Sequence, residues 1–236
     1  MQTKTVFERT EKKYLITTTL RDILLEKIAD KMLPDLYGKS TICSLYFDTD
    51  DFRLIRNSIE KPIYKEKLRL RSYSVPDEYS EVFLELKKKY KGVVYKRRKT
   101  MDYISAKEYI YNHKMPDNSQ IMKEIDWTMN FYRDLKPKMF IAYDRCAYFG
   151  KDDENLRITF DMDLRYRTDN LSLSAGSDGE KVIDESLCIM EIKALKAMPM
   201  WLCDTLNELK IYPSSFSKYG TAYRIISQKN GEYNCA

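Results

Sequence analysis

The sequence predicts an α+β fold in which about eight antiparallel strands are covered by helices. Its strand candidates alternate charged and apolar residues, most clearly between Tyr64 and Tyr73 in the segment YKEKLRLRSY. Side chains of a strand point alternately to its two faces, so each of these strands has one charged and one apolar face. Turn residues such as Gly92 and the pair Pro76-Asp77 separate the candidates and indicate hairpins. Amphipathic helical patterns at the joins supply the cover that the apolar faces need.

The order of elements follows from these periodicities. Strands are predicted over residues 7–17, 40–47, 63–74, 81–90, 93–101, 138–149, 156–166 and 182–195. Helices are predicted over residues 20–32, 105–135 with a break at Pro116, 200–210 and 217–228. Thr18 or Thr19 is the expected cap of the first helix. Asp48 stands where a further helix would need an N-cap, and the polar stretch 168–179 is predicted to be a loop.

Composition is that of a globular chain with a sizeable core. The 236 residues are 43% hydrophobic, and we expect one domain over residues 1–236. Lys plus Arg exceeds Asp plus Glu by 41 to 36, so net charge alone does not indicate nucleic-acid binding. The sequence has no apolar run of membrane-spanning length and no secretory signal, which predicts a cytoplasmic protein without a membrane span. Five scattered cysteines without a CxxC pair favour reduced thiols.

Two common catalytic arrangements are absent from the sequence. The segment from Gly176 to Lys181 has neither the spacing of a phosphate-binding P-loop nor its following hydroxyl residue. His113 is the only histidine, and its position between a helix and a loop favours a surface or packing role over catalysis. The acidic run Asp48, Asp50 and Asp51 lacks the glycine and distal glutamate of a calcium-binding hand, so helix capping is its better interpretation.

The charged faces allow two interpretations. They could be the solvated side of an antiparallel sheet, or they could line the lumen of a closed barrel. A lumen would collect many cations, which are costly to bury unless an anion accompanies them. Guanidinium and ammonium groups suit phosphate oxygens, and a few carboxylates could hold a divalent metal. The residues that would converge are Lys13, Arg69, Arg71, Lys87, Lys96, Arg98, Arg145 and Arg157, with Glu11, Glu85, Asp161 and Glu191 among them.

In these residues the sequence resembles the vacuolar transporter chaperone (VTC) domain, a branch of the triphosphate tunnel metalloenzymes. The matching pieces are Glu11-x-Lys13-Tyr14, Ser44-Leu45-Tyr46-Phe47-Asp48-Thr49, Lys67-x-Arg69-x-Arg71, Glu85-Leu86-Lys87, Tyr143-x-Arg145-x-Ala147-Tyr148, Arg157-x-Thr159, Met190-Glu191-x-Lys193 and Phe216-Ser217-Lys218-Tyr219. Each piece is short, and their shared order along nearly the whole chain is what makes the resemblance specific.

The resemblance implies an eight-stranded antiparallel β-barrel, the triphosphate tunnel, with helices packed on its outside. It implies a polyphosphate polymerase that transfers the γ-phosphate of ATP to a growing inorganic polyphosphate chain, with Mn²⁺ or Mg²⁺ as cofactor. By position, the implied catalytic residues are Lys13, Arg69, Arg71, Lys87, Arg145 and Arg157. The implied phosphate-binding residues are Lys96, Arg98, Lys193 and Lys218, and the implied metal ligands are Glu191 and Glu11. The expected partners are ATP and polyphosphate or triphosphate, without nucleic acid.

One departure bears on the type of reaction. Hydrolytic tunnel enzymes begin with Glu-x-Glu-x-Lys, whereas this chain has Arg9 at the first glutamate position and Glu11 at the second. A cation there disfavours a triphosphate hydrolase. A hydrolase of the same fold and a non-catalytic polyphosphate or nucleic-acid binding module remain alternatives. Any membrane coupling would need a partner.

Overall fold

The computed structural model of the chain describes residues 9–133, 135–195 and 197–231. Its strands are β1 (Arg9–Thr17), β2 (Met32–Asp48), β3 (Tyr64–Ser72), β4 (Glu81–Tyr90), β5 (Val93–Asp102), β6 (Lys136–Gly150), β7 (Arg157–Arg167), β8 (Glu180–Lys181) and β9 (Leu187–Leu195). Its helices are α1 (Thr18–Lys27), α2 (Arg53–Ile59), α3 (Tyr103–Asn112), α4 (Gln120–Tyr132), α5 (Met200–Glu208) and α6 (Lys218–Lys229). The predicted α+β class with antiparallel strands is confirmed.

Strand pairing follows the order β1-β9-β7-β6-β2-β3-β4-β5, and β8 pairs with β7 beside this path. The path thus has the predicted eight strands, but among the described residues β1 and β5 are its two ends and are not paired with each other. The predicted closed barrel is not confirmed by this pairing. Strand β5 carries the cations typical of a sheet edge protected from further pairing, and closure into a tunnel stays a prediction.

Several predicted boundaries were wrong, each for a local reason. Helix α1 begins before Leu20 because the Thr17 hydroxyl accepts a hydrogen bond from the Leu20 amide (3.1 Å) and caps the helix there. Strand β2 begins eight residues before Ser40, in an exposed segment without apolar alternation. The helical stretch 105–135 has the predicted break at Pro116, but Asp102 and Ser119 cap its two helices, which begin at Tyr103 and end at Tyr132. The start of the first predicted strand, Phe7 and Glu8, lies outside the described residues.

The chain divides into two compact units, each built from three segments. Unit 1 contains Met1–Ser40, Tyr143–Leu164 and Ile183–Phe216, and unit 2 contains Thr41–Ala142, Arg165–Val182 and Ser217–Ala236. In unit 1, apolar residues of β1, β7 and β9 form a core with α1 and α5, including Tyr14, Phe160 and Met190. In unit 2, the apolar faces of β3 and β4 pack with α3 and α4 around Leu68 and Leu86.

Within each unit the predicted faces are confirmed. Val82, Leu84 and Leu86 of β4 lie in the unit 2 core, and Met190 and Ile192 of β9 lie in the unit 1 core. The intervening charged residues therefore point to the opposite side of their strands. None of the described helices is long and apolar enough to cross a membrane. The cysteines in the described part of the chain, Cys43, Cys146, Cys188 and Cys203, are free thiols, and Cys235 lies outside it.

Candidate functional site

The strongest concentration of charge in unit 2 lies on the side of β3, β4 and β5 opposite the core. We call this side the cationic face; it carries Lys67, Arg69, Arg71, Lys87, Lys96 and Arg98 around the carboxylate of Glu85. The two-residue turn Lys91-Gly92, in which both residues have positive φ (45° and 86°), joins β4 to β5 and fixes their register. That register brings the cations of separate strands together.

Three lysines form one row across the cationic face. Lys67 is directly opposite Lys87, and Lys87 is directly opposite Lys96. In the next row Lys65 is opposite Lys89. Like charges directly opposite each other destabilise a sheet. Burial, together with the nearby charges of Lys89 and other lysines, lowers the pKa of Lys65. The opposed lysines therefore repel each other, and an anionic ligand would reduce this repulsion.

On the other side of the lysine row, Glu85 lies between Arg69 and Arg98 and orients both. Its carboxylate accepts hydrogen bonds from Arg69 Nε (2.8 Å) and Arg98 Nε (2.7 Å), and Lys96 Nζ lies 2.6 Å away. The Glu85 side chain is only 1% exposed. Burial alone would raise the pKa of Glu85, but the charges of Arg69, Arg71 and Lys96 hold it well below its ordinary value. The pKa of Lys96 is nonetheless lowered, because its burial outweighs the contact with Glu85.

Tyr46 of β2 reports the potential of this face. It is opposite Arg69, which donates a hydrogen bond to the Tyr46 hydroxyl (3.0 Å). Burial would raise the pKa of Tyr46, but the charges of Arg69, Arg71 and Lys67 lower it from 10.0 to about 8. Arg71 itself is buried and donates to the Ser44 hydroxyl (3.2 Å). A phenol whose pKa falls despite burial indicates a strongly positive environment.

The N-terminus of α6 lies beside the lysine row. Lys67 Nζ donates to the hydroxyl of Ser217 (3.1 Å), which also caps α6, and Lys218 is the first residue of that helix. The next residue, Tyr219, stacks on Tyr46 with ring centroids 4.6 Å apart and donates to the Asp48 carboxylate (2.9 Å). Asp48 in turn accepts from the backbone amides of Leu54 and Ile55 in α2. Asp48 thus accepts from the first turn of α2 as a cap does, although the N-cap position is Phe52 and not Asp48 as predicted.

Unit 1 has its own charged face on β1, β9 and β7. Its rows of paired residues are Glu11, Lys193 and Arg157, then Lys13, Glu191 and Thr159. Glu191 is 8% exposed and lies 2.5 Å from Lys193 Nζ and 3.9 Å from Lys13 Nζ. The Glu11 carboxylate is 3.8 Å from the same Lys13 nitrogen. The two carboxylates predicted as metal ligands are therefore neighbours that share a lysine.

The two arginines predicted for unit 1 have different environments. Arg145 donates to both oxygens of the fully buried Asp161 (2.6 and 2.8 Å). Burial would lower the pKa of Arg145, but Tyr143 and Asp161 raise it. Arg157 contacts Asp35 (2.5 Å), and its side chain is 46% exposed. Arg145 is thus rigidly oriented, whereas Arg157 is accessible and paired at the surface.

Thr159 is a polar residue of this face that the sequence did not single out as a ligand. It is 6% exposed and directly opposite Glu191. Its hydroxyl oxygen is buried and has no hydrogen-bond partner among the residues that the structure describes. A buried hydroxyl without a partner is rare and is costly to the fold. This hydroxyl adds an oxygen beside the Glu191 carboxylate.

These oxygens fit a hard divalent cation that also binds phosphate. Magnesium-type ions typically take one or two protein carboxylates and complete their coordination with water and substrate phosphates. Glu191 and Glu11 meet that requirement, with Thr159 beside them. The described residues contain no cluster of three or more His, Cys, Asp or Glu side chains that could hold a metal by themselves. A metal here would therefore complete its coordination with water or with oxygens of the substrate.

The predicted site residues form two groups of six. Unit 2 holds Arg69, Arg71, Lys87, Lys96, Arg98 and Lys218, and unit 1 holds Lys13, Arg145, Arg157, Lys193, Glu191 and Glu11. Three polar residues that contact cations of this face were not predicted as site residues. Tyr46 contacts Arg69, Ser44 contacts Arg71, and Ser217 contacts Lys67. Ser44 and Tyr46 alternate along β2, and this alternation could have predicted that they share a face.

A model of one protein family matches most of the chain. The family is described as the VTC domain, and the match covers residues 8–227. No curated protein matches the sequence.

Solved structures are similar to this chain at low sequence identity, and the first of them shares its fold. A "putative adenylate cyclase" from Bacillus halodurans has a TM-score of 0.55 at 15% identity, over 88% of this chain and 92% of that one. A second "putative adenylate cyclase", from Vibrio parahaemolyticus, has a TM-score of 0.45 at 11% identity, over 92% and 98%. The PH1819 protein of Pyrococcus horikoshii OT3 has a TM-score of 0.44 at 13% identity, over 92% and 99%.

Proposed function

Because the chain belongs to the VTC domain family, we propose that it is a metal-dependent phosphotransferase that moves the γ-phosphate of ATP onto a growing inorganic polyphosphate chain. The observation that carries the proposal is the row Lys67, Lys87 and Lys96 on the cationic face. Directly opposed lysines destabilise a sheet, and the one carboxylate that contacts Lys96, that of Glu85, carries a single negative charge. A chain of phosphates, with a negative charge on every unit, matches such a row.

In this proposal the residues of unit 2 bind phosphate oxygens. The three lysines act as point charges, and Arg69 and Arg98, which Glu85 orients, present planar donors. Glu85 fixes these donors before the ligand arrives, so little ordering is needed when charge develops. Lys218 and Arg71 extend the same set from α6 and from β3.

In unit 1 we assign phosphate binding to the cations and metal binding to the carboxylates. Lys13, Lys193 and Arg157 bind phosphate oxygens, and Arg145 is held by Asp161. Glu191 and Glu11 would hold Mn²⁺ or Mg²⁺, which would neutralise phosphate charge and align the phosphates. Lys193 and Lys13 contact Glu191, so phosphate binding to the lysines would free this carboxylate.

The reaction requires no nucleophilic side chain. An oxygen of the terminal phosphate attacks the γ-phosphorus in line, the bond from that phosphorus to its bridging oxygen breaks, and ADP leaves. Phosphoryl transfer depends chiefly on alignment and on stabilisation of the charge that develops. In this proposal the cationic face supplies both.

The products of one incubation test the proposal. With ATP and Mn²⁺ or Mg²⁺, the purified chain should form long phosphate polymer and ADP. Orthophosphate without polymer would contradict the proposal in favour of a hydrolase, and no product would favour a binding module.

A charge-neutral variant tests the metal assignment. Glu191→Gln should lose nearly all metal-dependent product because a hard-cation ligand is gone. Its binding of tripolyphosphate without metal should be kept or strengthened, since one negative charge has left the site. Glu154→Gln, an exposed loop control in unit 1, should behave like the parent chain. Near-normal turnover of Glu191→Gln would rule Glu191 out as the essential ligand.

A further inference from the structure

An exposed aromatic surface lies at one end of unit 2, on the apolar side of β3, β4 and β5. Helix α4 covers this side as far as Leu68 and Leu86, which are fully buried. The rows of paired residues nearer the β4–β5 turn continue the same side, and apart from buried Glu66 and half-buried Lys88 they are exposed. We call the exposed part the aromatic patch; it consists of Tyr64, Tyr90, Val93, Tyr95, Trp127 and Phe131, each 44–57% exposed.

The patch is held together by direct contacts. Trp127 and Phe131 of α4 stack with ring centroids 5.0 Å apart, and Phe131 meets Tyr132 edge-on at 5.0 Å. Tyr132 and Tyr64 both donate to the buried carboxylate of Glu66 (2.6 and 2.9 Å). Across the strands, Tyr64 is opposite Tyr90 and Tyr90 is opposite Val93. These contacts make the patch one continuous surface. Surfaces of this kind mark binding sites.

Cations are part of the patch. Lys88 Nζ lies 5.6 Å from the centroid of the Trp127 ring, and Lys91 Nζ lies 5.5 Å from that of Tyr90. The Arg53 guanidinium lies 5.5 Å from the ring of Tyr132. The Trp127 ring thus contacts both another ring and a cation, and the Tyr90 ring contacts a cation. Outward, the patch presents aromatic surface, the aliphatic Val93 and positive charge.

We propose that the aromatic patch docks this chain onto membranes that contain anionic phospholipids. Tyrosine and tryptophan are the residues that favour the interface between headgroups and acyl chains. Lysines beside them attract anionic headgroups while their stems cover apolar surface. This inference does not depend on the proposed function, because its residues lie on the other side of the strands from the cationic face.

The same observations disfavour other occupants. Two copies of the chain joined through this patch would bring two sets of the cations Lys88, Lys91 and Arg53 into one interface. Nucleic-acid bases would stack on open ring faces, whereas the Trp127 ring already contacts Phe131 and Lys88. Charge complementarity and exposed aliphatic surface together favour an anionic lipid surface.

Vesicle binding of the full chain tests the proposal. The chain should co-sediment with vesicles of phosphatidylcholine plus phosphatidylserine, bind vesicles of phosphatidylcholine alone far less, and be released by salt. The chain has two tryptophans, Trp127 and Trp201. In a Trp201→Phe variant, binding should shift the Trp127 emission to the blue, and brominated acyl chains should quench it.

Two neighbouring valines provide the matched control. Val93 and Val94 are 54% and 48% exposed but lie on opposite sides of β5. The double variant Tyr90→Ser, Val93→Ser should weaken vesicle binding by about tenfold because it removes apolar contact with the acyl region. Val94→Ser should leave binding unchanged. Absence of vesicle binding, equal binding to neutral vesicles, equal loss in Val94→Ser, or a dimer that Tyr90→Ser dissociates would each overturn the proposal.

Discussion

The pKa of Tyr46 reflects the positive charge of the cationic face. Its pKa in the folded chain, about 8, lies below the ordinary value of 10.0. A lowered pKa contributes stability that is complete above pH 10 and is lost as the pH falls through about 8. Relative to Tyr46→Phe, the parent chain should therefore gain about 2 kcal/mol of unfolding free energy between pH 8 and pH 10. Denaturant unfolding at stepped pH measures this difference.

Deprotonation of Tyr46 stabilises the fold but should weaken the binding of an anionic ligand. Above pH 8 the Tyr46 phenolate adds a negative charge beside Arg69 and should weaken tripolyphosphate binding by about tenfold. Tyr46→Phe should lack this step while keeping the neutral-pH affinity. If both chains lost affinity equally between pH 7 and pH 9.5, Tyr46 would not titrate in this range.

Thr159 provides a test of the unit 1 face at the level of one atom. Its buried hydroxyl has no hydrogen-bond partner in the described part of the chain, and valine has nearly the same shape. Thr159→Val should raise the unfolding free energy of the ligand-free chain by about 1 kcal/mol, because an unsatisfied buried group is removed. Ser227→Ala removes the other such hydroxyl, in α6, and should stabilise similarly. A loss of stability in Thr159→Val would show that the hydroxyl has a native partner.

Among the elements, α2 depends on a single carboxylate. Asp48 is fully buried and accepts hydrogen bonds from the amides of Thr49, Leu54 and Ile55 and from the Tyr219 hydroxyl. Helix α2 has only seven residues and its N-cap residue Phe52 makes no side-chain cap bond. Asp48→Ala should therefore cost about 3 kcal/mol, since several buried donors lose their acceptor.

Thermal unfolding tests this prediction by comparing the melting temperatures of Asp48→Ala and Asp51→Ala with that of the parent chain. Asp51 is an exposed acid three residues later, so its loss should cost far less. Equal effects of the two substitutions would mean that general acidity, and not the bonds of Asp48, stabilises this end of α2.

Elements with strict alternation could be predicted from sequence, and others could not. Strand β4 was predicted with its correct bounds because Val82, Leu84 and Leu86 alternate with charged residues. The first half of β2 has no such pattern, since it is exposed on both sides and its pairing comes from tertiary context. The cap of α1 was misplaced because three consecutive threonines offer equivalent hydroxyls, and only the backbone geometry selects Thr17.

At the scale of the whole chain, periodicity identified the cations but not their partners. Alternation is enough to predict that Arg69 and Arg71 share a face with Lys67, and the structure confirms it. Register between distant strands decides the rest: the row Lys67, Lys87 and Lys96 follows from pairing that sequence alone does not specify. The Asp35 contact of Arg157 joins residues 122 positions apart and has no local signal.

The most direct test of the central claim uses the lysine row itself. Lys67→Gln combined with Lys87→Gln removes two like charges that face each other, so the ligand-free chain should unfold at a higher temperature. The same variant should bind tripolyphosphate at least about tenfold more weakly by calorimetry, because two phosphate contacts are lost. Lys114→Gln with Lys123→Gln changes the net charge equally at exposed helical and loop positions of unit 2 and should change neither quantity. Unchanged tripolyphosphate affinity in the Lys67, Lys87 variant would contradict the account.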